Sequence, residues 1–211
     1  MNSFVATVVI GVGVVGAHSP ARADVVAYTS QARSISAYAI DHINNINDSH
    51  SAGASDFGPF NSSVSASAGI GQGSASMNSM LSTATGISVS AGVTGIGSIN
   101  QNCEGGGSAS YTIGFTLSQA ADAMLSYSTL DGGFALNGPG VSIFAGSFDS
   151  AGPFALVLPA GSYTFSGGCS LSNHSSGTGT YSQATLVVPG VGAGAVVMVG
   201  IGVGCVGRRR R

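Results

Sequence analysis

The sequence predicts an all-β fold, an antiparallel β-sandwich flanked by an N-terminal signal helix and a C-terminal transmembrane helix. Three observations lead to this prediction. Apolar and polar residues alternate along many stretches between residues 24 and 188, which is the period of a half-buried strand. Gly, Pro and Asn separate these stretches, as expected for strands of six to eight residues joined by turns. An uncharged apolar segment lies near each end of the 211-residue chain.

Residues 1–23 predict a secretory signal peptide. Residues 4–17 form its apolar core, and Ala21-Arg22-Ala23 is a small-residue cleavage site. Cleavage between Ala23 and Asp24 leaves Asp24 as the first residue of the mature chain. No Lys or Arg precedes the apolar core, so an uncleaved membrane anchor is the alternative.

Residues 24–60 predict an N-terminal strand and a polar loop. Alternation around Ile35, Ala37 and Ala39 indicates the strand, while residues 41–59 are rich in Asn, Asp, Ser and Gly, which favour turns. Carboxylates and imidazoles in this loop are common metal ligands. Their spacing matches no calcium loop and no HExxH pattern, so we interpret the loop as solvated and predict no metal site. These residues are Asp41, His42, Asp48 and His50.

Residues 61–188 predict the β-sandwich domain. Its first part, residues 61–107, is rich in Ser, Ala and Gly. Alternation persists there, so we predict flat, closely packed strands rather than disorder. Large apolar side chains concentrate in residues 108–188, and we expect most of the stability there. They are Tyr111, Ile113, Phe115, Leu117, Phe154, Leu156, Tyr163 and Phe165.

The run LPAGSYTF at residues 158–165 is similar to the penultimate hairpin of pre-peptidase C-terminal and related jelly-roll modules. That resemblance implies a jelly-roll-like sandwich and a non-catalytic accessory domain.

The sequence also lacks recognisable catalytic motifs. The chain contains no GxSxG motif and no pair of acids on one predicted strand face. Two GxGxxG matches, at residues 11–16 and 202–207, lack the strand, helix and acidic residue that a dinucleotide site requires. We therefore predict no catalytic residue, no cofactor and no enzyme activity.

Residues 189–211 predict a membrane-spanning tail. Residues 191–207 carry no charge, and extension back to Leu186 supplies the approximately 20 apolar residues that a spanning helix needs. The basic residues that follow stay on the cytoplasmic side, which places the upstream domain outside. These residues are Arg208, Arg209, Arg210 and Arg211.

Pro189, a short apolar span and a terminal arginine block resemble the PEP-CTERM sorting tail of bacterial surface proteins. Gly190 follows Pro189, where that family usually has a second proline. The resemblance implies export to the cell envelope or cell surface, and processing of the tail by an exosortase-like membrane protease.

Two cysteines lie in the exported region. Cys169 shares the strand parity of Tyr163 and Phe165, so its side chain should point inward. A disulfide between Cys103 and Cys169 is predicted if the compartment is oxidising. Two free buried thiols are the alternative. The third cysteine, Cys205, belongs to the tail.

Charge limits the function further. Residues 24–188 hold one arginine and eight acidic residues, a net charge of −7, so the domain should not bind nucleic acid.

We predict an exported structural protein of the cell surface or extracellular matrix. One alternative is a module that binds polysaccharide or a cation through exposed aromatic rings, with Tyr28, Tyr38, Phe57 and Phe60 as candidates. Another is a secreted hydrolase in which His174 or His42 meets an acid.

Overall fold

A computed structural model of the chain describes residues 26–173 and 178–189. These residues form twelve β-strands and no helix. The strands are β1 (Val26–Asp41), β2 (Ile46–Gly53), β3 (Phe60–Ala68), β4 (Gly71–Ser82), β5 (Gly86–Ile96), β6 (Cys103–Leu117), β7 (Ala121–Leu130), β8 (Gly132–Gly138), β9 (Val141–Ala145), β10 (Ser150–Leu158), β11 (Gly161–Asn173) and β12 (Thr178–Val187).

The strands form two antiparallel sheets of six. The first sheet has the order β2-β1-β6-β11-β8-β9, and the second has the order β10-β7-β12-β5-β4-β3. Strand β1 faces β3 and β4, β6 faces β4 and β5, and β11 faces β5 and β12. The predicted antiparallel β-sandwich is therefore confirmed. The predicted signal helix and transmembrane helix lie outside the described residues, and within those residues no helix could span a bilayer.

Large side chains from both sheets fill one part of the interior, which we call the aromatic end. Phe115 stacks on Tyr163 with ring centroids 5.2 Å apart, and Phe134 meets Phe165 edge-on at 5.0 Å. All four rings are nearly inaccessible to solvent. As the alternation predicts, these side chains come from residues 108–188. The aromatic end comprises Tyr111, Phe115, Phe134, Tyr163 and Phe165, with Leu125, Leu136 and Leu158.

Glycines replace side chains in another part of the interior, which we call the glycine end. A Cβ atom on Gly73 would overlap the carbonyl oxygens of Gly106 and Tyr38, and one on Gly95 would overlap the Gly105 carbonyl. The backbone of β4 and β5 therefore lies directly on the backbone of β6. The glycine end comprises Gly71, Gly73, Gly95, Gly105 and Gly106, with a small separate cluster of Ala37, Ala39, Ala66 and Ala68.

The structure places residues 26–60 within the sandwich rather than before it. Strand β1 is an inner strand that pairs with both β2 and β6. Strand β2 falls inside residues 41–59, where the sequence predicted only a polar loop. Because no β2 residue is buried, the strand shows no apolar alternation that could have predicted it. Residue 60 is therefore not a structural boundary.

The segment 158–165 also departs from its expected arrangement. Strand β10 pairs with β7 in the second sheet, while β11 pairs with β6 and β8 in the first. Pro159 and Ala160 therefore connect the two sheets, and LPAGSYTF is not a hairpin.

Both ends of the described domain lie at one pole of the sandwich, which we call the terminal pole. Val26 pairs with Leu117, and the Tyr28 hydroxyl donates to the Gly86 carbonyl oxygen at 2.9 Å. Gly86 in turn lies against Val188. The turns 42–45, 69–70 and 97–102 meet at the opposite, distal pole, where the His42 N–H donates to the Asn102 carbonyl at 3.1 Å.

Candidate functional site

Hydroxyl and amide side chains make up much of the outer face of the second sheet. Strand register places Ser65, Ser74 and Thr94 side by side, and the Ser74 and Thr94 hydroxyls lie 2.7 Å apart. Another row crosses five strands. Since neighbouring strands lie about 4.8 Å apart, the side chains form a regular grid. The second row consists of Asn61, Asn78, Ser90, Gln183 and Ser128.

The outer face of the first sheet repeats this pattern. The Ser36 hydroxyl lies 2.9 Å from the Ser108 hydroxyl, and Ser108 is also paired with Ser170 on the other side. Ser34 and Ser110 make the adjacent hydroxyl pair at 3.1 Å. The two outer faces therefore present uncharged donors and acceptors in rows.

Shallow grooves run over these faces. One, of about 390 Å³, is lined by Ser108, Ser110, Asp131 and Ser170 among others. Another, of about 380 Å³, lies over β3, β4 and β5 and is lined mainly by Ser, Thr and Gln. Pockets for small molecules are lined mostly by apolar and aromatic side chains. These grooves suit an extended polar ligand better than a small substrate.

Arg33 is the single Lys or Arg among the described residues, and it is buried with 2% of its surface exposed. Its Nη1 donates to the Gly58 carbonyl at 3.0 Å and to Ser79 Oγ at 2.9 Å. Its Nη2 donates to the Asp56 carbonyl, and its Nε donates to Gln31 Oε1 at 3.1 Å. The guanidinium thus fastens the segment 54–59 to β1 and β4.

Burial lowers the pKa of Arg33, although the nearby Asp56 carboxylate opposes that shift. Because the guanidinium is enclosed, it cannot serve as a surface site for an anion. Sequence reasoning missed this role, although a signal was present. Arg33 shares the parity of Ile35 and Ala37, the inward-facing residues of the same strand.

The acids and histidines of residues 41–50 do not converge on one point. His50 Nε2 lies 3.0 Å from Asp48 Oδ1, whereas His42 Nε2 lies 3.8 Å from Glu104 Oε1. Within the described ranges, no group of three His, Cys, Asp or Glu side chains is placed to hold a metal ion.

Asp41 has a structural role at the β1–β2 turn. Its Oδ2 accepts a hydrogen bond from Asn44 Nδ2 at 2.8 Å, and its Oδ1 accepts the backbone N–H groups of Ile43 and Asn44, each at 3.0 Å. These hydrogen bonds lower the pKa of the Asp41 carboxyl, and the bond from the Asn44 side chain has the largest effect. The carboxylate therefore stabilises the turn.

The four aromatic residues considered for carbohydrate binding do not form an exposed row. Tyr28 is half-buried, and its hydroxyl lies within hydrogen-bond distance of the Ser82 and Gly86 carbonyls. Its ring lies 6.2 Å from that of Phe57. Phe60 lies beneath the guanidinium of Arg33 at 5.9 Å. Tyr38 is half-buried on β1, where its parity matches the outward-facing serines. Tyr28 and Phe60 therefore pack around the segment 54–59, to which Phe57 belongs, and the four rings form no binding platform.

The predicted disulfide is not formed in the structure. Cys103 and Cys169 are both free and buried. Cys169 pairs with Ala109, which lies six residues along β6 from Cys103. At about 3.3 Å per residue this separation is about 20 Å, whereas a disulfide needs Cα atoms less than about 7 Å apart. The alternative, two buried free thiols, is the arrangement observed.

A polar pair in the core also has a structural explanation. The Tyr111 and Ser182 hydroxyls lie 3.1 Å apart, and Ser182 Oγ donates to the Gly133 carbonyl at 2.9 Å. Burial raises the pKa of Tyr111 to about 12, so the phenol stays protonated near neutral pH.

His174 lies outside the described residues. The absence of catalytic residues remains a prediction from the sequence.

Comparisons with protein-family models, with curated proteins and with solved structures find no match to this chain. Any assignment of function therefore depends on the residues and geometry described above.

Proposed function

We propose that this chain is an exported structural protein of the cell surface or extracellular matrix. The positions of the chain ends carry the proposal. Because Tyr28 and Val188 both contact Gly86, a leader and a tail would attach at the terminal pole. Both sheet faces and the distal pole then remain open to the surroundings.

The surface chemistry supports this role. The outer faces offer rows of hydroxyls and amides, and Arg33, the single Lys or Arg of the described residues, is buried. Such faces hydrate well and carry no cationic patch for nucleic acid. In this proposal the sandwich is jelly-roll-like and non-catalytic, and it requires no cofactor.

The proposed attachment uses the two terminal segments. The signal peptide is removed between Ala23 and Asp24. The tail spans the membrane with Arg208–Arg211 in the cytoplasm, and an exosortase-like protease processes it near Pro189 and Gly190.

Cell fractionation of a bacterial host that carries an exosortase-like protease tests this proposal. We expect the full chain to reach the envelope with Asp24 as its N-terminus, and a variant that lacks residues 190–211 to appear in the medium. Mass spectrometry would reveal a processed C-terminus near Pro189. Retention of the full chain in the cytoplasm would refute export, and an intact Arg211 in most envelope molecules would indicate a plain anchor instead of a sorting tail.

Contact with an extracellular polysaccharide is the second candidate function. The regular hydroxyl rows favour it, because an extended sugar polymer offers hydroxyls at repeated intervals. Co-sedimentation of the exported chain with the host's polysaccharide tests this function. A double variant, Ser74→Arg with Ser90→Arg, disrupts the rows of hydroxyls and serves as the comparison. Equal sedimentation of both proteins would argue against recognition by this face.

A further inference from the structure

The sandwich has four edge strands, β2 and β9 in the first sheet and β3 and β10 in the second. An edge strand exposes unpaired backbone groups that can pair with another chain, and proteins guard such edges with charges, prolines or bulges. Strand β2 carries the acidic residue Asp48, whose Oδ1 lies 3.0 Å from His50 Nε2. Asp48 Oδ2 also accepts the Ser67 N–H of β3 at 2.9 Å. Strand β10 contains Pro153 within an irregular register.

Strand β9 lacks all of these guards. Its sequence, VSIFA, has no charge and no proline, and its pairing with β8 shows no register shift. Phe144 on this strand is 76% exposed, and Phe148 in the loop that follows is 72% exposed. β9 is thus an edge strand of the described sandwich that carries none of these guards.

The hairpin fixes which backbone groups of β9 are unpaired. Gly138 and Val141 pair across the two-residue turn Pro139-Gly140, so they form the hydrogen-bonded closing pair. Hydrogen-bonded and non-hydrogen-bonded pairs alternate along an antiparallel ladder. Ser142 and Phe144 therefore direct their N–H and C=O groups away from β8, toward the edge.

We propose that β9 is a self-association strand, on which the β9 strand of a second copy of this chain pairs antiparallel about a two-fold axis. Ser142 pairs with Phe144 of the second copy and the reverse, which forms two hydrogen-bonded pairs. Ile143 faces Ile143 of the second copy across the axis, and its partly exposed side chain becomes covered.

The lack of charge on β9 favours a second copy of the strand as the occupant, and the contact area sets the strength of the association. A two-fold axis sets two copies of the same strand against each other, and an uncharged strand places no like charges together. A five-residue strand is about 17 Å long. Its contact is smaller than the approximately 800 Å² per partner of a standard stable interface. The association is therefore weak and depends on protein concentration.

Buried Thr129 holds the loop after β9 in place. Buried Thr129 places its Oγ1 within hydrogen-bond distance of the Gly146 and Asp149 carbonyls, and its N–H donates to Asp149 at 2.8 Å. Phe148 lies between them with a φ of 60°. These hydrogen bonds fix the end of β9, and the proposed pairing uses residues of β9 and none of the proposed tail.

Cysteine crosslinking of the detergent-solubilised full chain, with Cys205→Ser as background, tests the register. Residues that face each other in a non-hydrogen-bonded pair have Cα atoms about 4.5 Å apart, within disulfide range. Ile143→Cys should therefore form a disulfide dimer under mild oxidation. Ser142→Cys should form little, because its own counterpart lies two residues away along the strand.

Phe144→Lys added to Ile143→Cys should abolish the crosslinked dimer, because the lysine of each copy would place its charge against the β9 strand of the other copy. Ile99→Lys is the matched control, because Ile99 is also 76% exposed but lies at the distal pole. It should leave crosslinking unchanged. Equal crosslinking of the Ser142→Cys and Ile143→Cys proteins, no crosslinking at any concentration, or loss of the dimer in Ile99→Lys would each overturn the proposal.

Discussion

At the aromatic end, side chains from both sheets fill the space between the strands, whereas at the glycine end the two backbones touch. The first arrangement stabilises the fold through the burial of large apolar surfaces. The second buries little apolar surface, and its contribution depends on the absence of side chains. Opposite substitutions should therefore damage the two ends: removal of atoms at the aromatic end, and addition of atoms at the glycine end.

The largest expected effect is at the aromatic end. Phe115→Ala removes a ring that is 1% exposed and stacked on Tyr163. It should lower the free energy of unfolding by about 3–5 kcal/mol, because the cavity cannot collapse fully. Denaturant midpoints measure the loss. Val64→Ala, at a partly buried residue beside the alanine cluster, should cost much less. Equal losses would show that the two ends contribute alike.

The next effect concerns the glycine end. Gly73→Ala places a methyl group against backbone atoms of Gly106 and Tyr38, which cannot rotate away. We expect a loss of about 1–3 kcal/mol in the free energy of unfolding. Gly92→Ala on the neighbouring strand β5 is the control, since its added methyl would meet no atom closer than 3.8 Å. If both variants unfold at the same denaturant concentration, the close backbone contact does not exist in solution.

Thiol labelling compares the two ends in one molecule. Cys103 begins β6 at the glycine end, and Cys169 belongs to the main apolar cluster. Burial raises the pKa of the Cys169 thiol, which further slows its reaction. In denaturant below the midpoint, Cys103 should react with a thiol reagent before Cys169. Peptide mapping without reduction should find both thiols unpaired, and a Cys103–Cys169 peptide would contradict the register of β6 and β11.

The smallest expected effect is a pH dependence at the distal pole. The folded-state pKa of Asp41 is lowered below its usual value of about 3.9 by hydrogen bonds from Asn44 and Ile43. Its contribution to stability is therefore present above about pH 3.9 and is lost as pH falls through the lowered pKa. Asp41→Asn should flatten this part of the stability–pH curve. An unchanged curve would assign the acid sensitivity to other carboxyl groups.

The inner strands could be predicted from sequence because their alternation is local. Ile113 and Phe115 on β6, and Val89 and Val93 on β5, face inward as their parity indicates. Strand β2 could not be predicted, because none of its residues is fully buried and the alternation signal requires one buried face.

Register explains what could not be predicted about the candidate sites. Parity correctly placed Cys169 inside the sandwich, but it could not show that Cys169 pairs with Ala109. Likewise, composition indicates a surface rich in serine, but not that Ser36, Ser108 and Ser170 stand in one row. Residues far apart in sequence choose their partners through the whole fold, so no local pattern contains this information.

The position of β12 has a mechanical consequence. It is the last of the described strands, before the proposed tail, yet it lies in the interior of its sheet and pairs with β5 along residues 178–186 and with β7 along residues 181–187. A force applied to the tail along this strand loads both hydrogen-bond ladders in shear, so many bonds must break together. An edge strand in the same position could be peeled away one bond at a time. A domain tethered through β12 should therefore resist drag at a cell surface.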